Sequence, residues 1–383
     1  MTLSRRTLLA ASLLAPLAAR AASGEDGPNV PIEVPVQLRG ARVTVALRLG
    51  GQGPFDFMID TGAFAGLIRE DLARSLHLAQ TGQTRFNGRT LPVYDAEDVI
   101  FGGVFAQRHI TFAGFGSEGL GRGISGTLSS SLLTMIDSDL DFDRGVWRFY
   151  PKSRGAAPAG FTALDSRIAK RGIGSAFLFV HGTLGGRRYR FLLDTGGPGH
   201  IQLYREAAKA SGLWAPSTPF APVRTASTNG PGRVSPLVRA DVLDLGGGLR
   251  FERPLVVLNQ TPGMGFPGVD GILGLGLLRH LNLATEVAAG RVWGKINGLA
   301  PARDPYGHAG LWFDPVPQGV RVAMIGTGSP AAAAGLQVGD LLPGVDLPGA
   351  LAMLARPDGT AVPLAIERQG SRQTVTLLLA DYL

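Results

Sequence analysis

The chain has 383 residues and a formal net charge of +7, enough length for two or three domains with separate cores. Its 55 glycines and 26 prolines punctuate many short apolar runs, which reads as mostly β, and 45% hydrophobic residues exclude a disordered chain. The absence of cysteine excludes disulfides, thiolate metal sites and a cysteine nucleophile.

The first segment, "MTLSRRTLLAASLLAPLAARAASG", has the form of an export signal. Arg5 and Arg6 precede an apolar run over 8–18, and Ala19-Arg20-Ala21 offers a small-residue cleavage site. Ser4-Arg5-Arg6 resembles a twin-arginine signal, with Leu8 and Ala10 where that pattern prefers Phe and Lys. The run is short and interrupted by Pro16, so it is a poor membrane span. Residues 1–21 are therefore expected to leave a mature protein in the periplasm or outside the cell, with no membrane span; an uncleaved anchor is the alternative. Arg5, Arg6 and Arg20 depart with the signal, which lowers the charge from +7 to +4. The remaining basic residues form no run interleaved with aromatics, so no nucleic-acid partner is expected.

Further along, "FDFMIDTGAFAGLIREDLARSL" (55–76) runs from an apolar strand through Asp60-Thr61-Gly62 into a helix-like stretch. "RFNGRTLPV" (85–93) carries an Asn-Gly hairpin signal, and "VIFGG" (99–103) a second turn. "GISG" (123–126) opens a segment ending in "GVWRFY". The same order then returns: "YRFLLDTGGPGHIQLYREAAKA" (189–210) contains Asp194-Thr195-Gly196, "STNGPGRVS" (227–235) a hairpin, "LDLGG" (243–247) a turn and "GILG" (271–274) a segment ending in "GRVWGKI". The chain thus contains a duplicated β lobe, over 30–150 and 165–297, with Asp60 and Asp194 in equivalent places. His77, His109, His181, His200, His280 and His308 lack metal-ligand spacing, and Ser129 to Ser131 lack a nucleophile elbow.

After a Pro- and Gly-rich connector the pattern changes. In "VRVAMIGTGSPAAAAGLQVGDLL" (320–342), Ser329 reads as an N-cap, Pro330 as the first helical residue and Gly335 as the stop. "PLAIERQGSRQTVTLLL" reads as a closing hairpin. This stretch (308–383) resembles the PDZ domains of bacterial exported proteases. The resemblance implies that Gly310, Leu311, Trp312 and Phe313 form a loop gripping a peptide's C-terminal carboxylate. The segment after Asp340 departs from the family pattern, lacking its Asn-Gly turn and carrying a short second helix, so a structural cap is the alternative role.

Through "IDTGA", "LDTGG", "GISG" and "GILG" the chain resembles the aspartic proteases, specifically retropepsin-like halves fused in one chain. The resemblance implies a mostly β fold of two pseudo-twofold-related lobes, with the small PDZ-like β/α domain appended, and an active site between the lobes. Asp60 and Asp194 would be the catalytic pair, sharing one proton and activating a water against a peptide bond; no metal or organic cofactor is implied. Thr61 and Thr195 would bond across the lobe interface, Gly62 and Gly196 would allow the sharp turns, and Gly126 and Gly274 would let a strand pass behind each loop. Unfolded protein or peptide is the expected substrate, and a C-terminal peptide the expected ligand of the PDZ-like domain. An inactive lobe pair serving as a peptide-binding scaffold is the alternative. Ala63 and Gly197 stand where pepsin-like relatives carry a hydroxyl, and the lost donors should raise the pair's pKa values, placing activity at weakly acidic to neutral pH.

Overall fold

The computed structural model describes residues 30–383 except 87, 117–119, 122, 171–173, 228–229, 302–303 and 305. The export-signal segment, Asn87 of the first hairpin and Thr228-Asn229 of the second lie outside the described residues.

The first lobe comprises β1 (Ile32–Arg39), β2 (Arg42–Leu49), β3 (Gln52–Ile59), β4 (Leu67–Arg69), α1 (Glu70–Ser75), β5 (Ala79–Phe86), β6 (Arg89–Phe101), β7 (Phe105–Phe115), β8 (Gly126–Leu128), α2 (Ser131–Thr134), β9 (Ser138–Asp141) and β10 (Val146–Phe149). Tight hairpins depend on glycines at positive φ, such as Gly50 and Gly51 between β2 and β3. The strand β3 pairs antiparallel with β2 and parallel with β8, which aims its C-terminal end out of the sheet toward Asp60.

The second lobe repeats this order in β11 (Thr162–Ala163), β12 (Ser166–Lys170), β13 (Ala176–Leu184), β14 (Arg187–Asp194), β15 (Ile201–Leu203), α3 (Arg205–Ala210), β16 (Ala221–Ser227), β17 (Gly230–Arg239), β18 (Val242–Asp244), β19 (Arg250–Glu252), β20 (Leu255–Leu258), β21 (Gly271–Gly274), α4 (Leu275–Leu278), β22 (Leu281–Glu286) and β23 (Arg291–Ile296). Here β14 plays the part of β3, pairing antiparallel with β13 and parallel with β21. Gly185 and Gly186 make the matching hairpin turn.

The lobes are joined by a shared sheet in the order β11-β23-β22-β9-β10-β1. Its seam pairs Leu140 with Leu283 and Ser138 with Thr285, all fully buried. A single apolar core runs through both lobes, including Phe57, Phe112, Leu140, Phe191 and Leu283. Polar groups on the seam are paired: the Thr285 hydroxyl accepts from Ser138 N–H at 3.1 Å. Buried Asn282 accepts from Phe142 N–H (2.9 Å) and donates to the Asp141 (3.1 Å) and Asp143 (2.8 Å) carboxylates.

The remaining elements are β24 (Leu311–Val316), β25 (Gly319–Ile325), α5 (Pro330–Ala333), β26 (Leu341–Pro343), α6 (Leu347–Leu354), β27 (Ala361–Arg368) and β28 (Ser371–Leu378). They form an antiparallel five-stranded sheet in the order β24-β25-β26-β27-β28, with its own core of Phe313, Val320, Val322, Leu342, Leu364, Ile366 and Leu377. Ser329 caps α5 by accepting from Ala332 N–H at 3.2 Å, Pro330 occupies the first helical position, and Gly335 ends the turn at φ 76°. Asp346 caps α6 by accepting from Gly349 N–H at 2.9 Å. No helix among the described residues is long and apolar enough to cross a membrane. The chain is mostly β, as expected: two β lobes and a smaller sheet-and-helix module.

Because Asn282 satisfies groups from both lobes, Asn282→Ala strands a buried N–H and removes donors from two carboxylates. We expect a stability loss of about 1–3 kcal/mol, read by denaturant unfolding, with the active-site residues untouched.

Candidate active site

Each lobe delivers its aspartate by the same local logic. Apolar β3 ends at buried Ile59, and the chain turns out of the sheet at Asp60 while Asp60 N–H still donates to Leu128 carbonyl at 2.8 Å. In the second lobe β14 carries the ladder through Asp194, opposite Gly274. The Asp60 carboxylate accepts from Gly62 N–H (3.0 Å), and the Asp194 carboxylate accepts from Gly196 (3.0 Å) and Gly197 (3.1 Å) N–H groups on one oxygen.

The two turns face one another. Thr61 N–H donates to the Thr195 hydroxyl (3.1 Å), and Thr195 N–H to the Thr61 hydroxyl (3.0 Å). Each hydroxyl in turn donates across the interface, Thr61 to Leu193 carbonyl (2.7 Å) and Thr195 to Ile59 carbonyl (2.6 Å). These four buried bonds exchange under an approximate twofold axis. A Cβ on Gly62 would lie 2.5 Å from the Asp194 carboxyl, and one on Gly196 2.5 Å from that of Asp60. Glycine is thus required twice by close approach, and the two carboxyls come within hydrogen-bonding reach of each other.

Burial, reinforced by the neighbouring Asp194 charge, holds Asp60 well above the ordinary carboxylate range. Burial raises Asp194 as well, but the Gly197 and Gly196 N–H groups oppose it by stabilising its charge. Both carboxyls therefore resist ionising, and the pair holds one proton between them. In each lobe the backbone N–H at the position of the missing hydroxyl, Ala63 or Gly197, stands in part for it.

The strands behind the loops require a correction to the repeat. Matching "GISG" with "GILG" equates Gly126 with Gly274, but the ladders do not. Phe57 pairs with Gly126 as Phe191 pairs with Gly271, and Ile59 pairs with Leu128 as Leu193 pairs with Leu273. The equivalent segments are therefore "GTLSSSLL" from Gly126 and "GILGLGLL" from Gly271, three residues off the sequence match. Ser125 then answers Asp270: Ser125 N–H donates to Asp56 carbonyl and Asp270 N–H to Arg190 carbonyl, each at 2.8 Å. Gly126 and Gly274 both meet close backbone, with a Cβ 2.3 Å from Leu67 carbonyl and 2.3 Å from Gly199 carbonyl respectively. Gly271 is the unrecognised partner of Gly126, its Cβ position 2.3 Å from Gln202 carbonyl. Ser129 replaces glycine at the place of Gly274, and its hydroxyl bonds those of Ser131 (2.8 Å) and Ser175 (3.0 Å).

Apolar walls flank the pair. Phe64, four residues past Asp60, stacks on Phe86 of the β5–β6 hairpin at 5.5 Å and also joins a second-lobe cluster of Phe177, Phe179, Leu192, Val269 and Ile272. Tyr204 borders that cluster; burial and then the Asp194 charge push its phenol pKa upward. Sequence reasoning passed over Phe64 and Tyr204. Tyr204 precedes α3 as Arg69 precedes α1, a correspondence concealed by one additional residue in the second loop.

The Gly310–Phe313 stretch lies outside this site. Gly310 (φ 68°) donates to Gly307 carbonyl and accepts from Gly326 N–H, Leu311 begins edge strand β24, Trp312 lies under the Arg224 guanidinium at 4.8 Å, and Phe313 enters the module core. Among the described residues no three His, Asp or Glu converge as metal ligands.

Residues 180–277, from within β13 through α4, match the family model described as aspartyl protease. The match spans Asp194 and Gly274 and supports an aspartyl-protease-like family. The solved structure of basic 7S globulin from soybean is similar to this chain at a TM-score of 0.44 and 14% identity, over 70% of this chain and 95% of that one. No curated protein matches the chain.

Because the fold favours the protonated form of Asp60, this residue contributes stability fully below the unfolded carboxylate pKa and loses it as pH rises through the raised folded value. Asp60→Asn carries no such charge. At pH 8 the variant should melt roughly 2–5 °C above the parent, with the gap closing toward pH 4, as read by calorimetry.

Proposed function

We propose that the protein is an aspartic endopeptidase whose active site is the Asp60–Asp194 pair. The observation that carries this reading is the mutual approach of the two carboxyls, enforced by the reciprocal Thr61–Thr195 bonds. A peptide lies extended between the lobes, against the apolar walls around Phe64 and Phe177. Ionised Asp194 takes a proton from a water as its oxygen adds to the scissile carbonyl carbon. Asp60 delivers its proton to the carbonyl oxygen, giving a tetrahedral diol. On collapse Asp194 returns its proton to the leaving nitrogen, the C–N bond breaks, and Asp60 recovers a proton from the diol. Atoms and charge balance without a metal or an organic cofactor.

The C-terminal module acts in this reading as a PDZ-like unit. Edge strand β24 offers its unpaired side to an extended peptide, and the Gly310–Phe313 backbone takes the terminal carboxylate. Residues 1–21 direct the chain out of the cytoplasm, where unfolded proteins of the envelope are the substrates.

The decisive measurement compares cleavage of an unstructured protein by the mature chain, Asp60→Asn and Asp194→Asn across pH. We expect either substitution to lower kcat by roughly a thousandfold or more, since the pair acts as a unit. Undiminished cleavage in either variant, or none by the parent at any pH, would sink the assignment.

The rate should peak at weakly acidic to neutral pH. It falls at higher pH as Asp60 loses the shared proton, and at lower pH as Asp194 gains one. A maximum well below the ordinary carboxylate pKa contradicts this charge assignment.

A further inference from the structure

The C-terminal module does not hang from its connector. It is bonded to the base of the second-lobe hairpin formed by β16 and β17. The Tyr382 hydroxyl donates to Phe220 carbonyl at 2.8 Å, and Phe220 N–H donates to Thr327 carbonyl at 3.3 Å. The Phe220 carbonyl so closely abuts Gly326 that a Cβ there would lie 1.8 Å away. One step along β16, Ala221 is buried with Leu237 and Leu255 in a cluster completed by Tyr306 and Tyr382. Arg224 of β16 lies over the Trp312 ring and 4.0 Å from Asp314. The connector adds a second hold: Asp304 pairs with Arg239, the last residue of β17, at 2.6 Å and approaches His200, behind the Asp194 loop, at 3.7 Å.

The hairpin leads on to the cleft. Arg233 N–H donates to the Thr261 hydroxyl at 2.8 Å, and the Thr225 hydroxyl lies 4.0 Å from the Met264 sulfur. Two residues later Phe266 packs on Phe177 at 5.6 Å, in the cluster holding Tyr204 and Ile272. The Ile272 side chain stands 3.2 Å from where a Cβ on Gly197 would sit, beside the Asp194 carboxyl. A continuous series of contacts thus joins Tyr382 to the substrate wall without touching the reacting atoms.

We infer that the C-terminal module is a brace for the β16–β17 hairpin, and that Tyr382 is a positioning residue setting how firmly the second-lobe wall receives substrate. The inference rests on the protease reading for its kinetic consequence and on contacts alone for its mechanical one. A wall element positions substrate only as well as it is itself held, so loosening the hairpin's base raises the share of arrangements that fail to hold peptide. Bond making at Asp60 and Asp194 is unaffected, because the Thr61–Thr195 bonds fix that pair independently.

The test uses the full mature chain with Tyr382→Phe, which keeps the ring and loses only the hydroxyl, and Tyr382→Ala. KM for an unstructured protein substrate should rise about three- to tenfold in Tyr382→Phe, the scale of one lost buried hydrogen bond, and further in Tyr382→Ala, with kcat within twofold of the parent. Hydrogen exchange over 221–239 should quicken in both, while β3, β14 and the interlobe seam keep the parent's protection. An unchanged KM, a fall in kcat alone, or parental exchange in the hairpin of Tyr382→Ala overturns the brace. A parent that cleaves nothing refutes the protease reading only, and the exchange comparison then decides the brace by itself. Should Tyr382→Ala not fold, Tyr382→Phe carries the same comparisons.

Discussion

Everything at the cleft depends on four buried hydrogen bonds between two threonines. Thr61 and Thr195 each donate a backbone N–H to the other's hydroxyl and pass their own hydroxyl proton to a carbonyl of the opposite lobe. Fully buried, these groups have no water to fall back on, so the arrangement is satisfied only when both lobes are in register. Two carboxyls are pressed together as a consequence. Unaided, that approach is unfavourable, since both resist ionising in a shared, poorly hydrated space. Stability from the threonines and the interlobe seam thereby offsets strain concentrated at Asp60 and Asp194.

The two lobes are copies in topology but not in chemistry, and the difference falls on the aspartates. Asp194 accepts two backbone N–H bonds on one oxygen, the second made available by Gly197. Asp60 has the Gly62 bond, with Ala63 N–H as a lesser donor; both Ala63 and Gly197 N–H also lie 3.2 Å from the preceding aspartate's carbonyl. An approximately symmetric scaffold thus gives a pair whose two carboxyls are held by unequal backbone geometry. The place of Gly274 is likewise filled by Ser129 in the first lobe, where the hydroxyl bonds Ser175 of the second. A contact within one lobe has become a contact between lobes.

The lobes, their order of parts and the aspartate pair were legible because each is fixed by short-range requirements. An apolar strand, a turn needing glycine and a carboxylate needing N–H donors all lie within a few residues. The register behind the loops was not legible. "GISG" and "GTLS" both present glycine followed by an apolar residue, and only the parallel pairing of Phe57 with Gly126 chooses between them. Tyr204 was hidden by a single inserted residue, and Tyr382 by distance, since its hydroxyl meets a carbonyl 162 residues earlier. The capping of α5 at Ser329 was readable for the opposite reason, because acceptor and donor lie three residues apart.

How the C-terminal module is joined constrains what it can do. A unit on a free connector can bind partners but cannot act on the cleft except by raising local concentration. This module instead bonds the main chain at Phe220, buries Tyr382 against β16 and β17, and anchors its connector through Asp304 to Arg239. Its edge strand also supplies Trp312, the ring beneath Arg224 of the same hairpin. The strand β24 is therefore already engaged with the second lobe through Arg224, at Trp312 and Asp314.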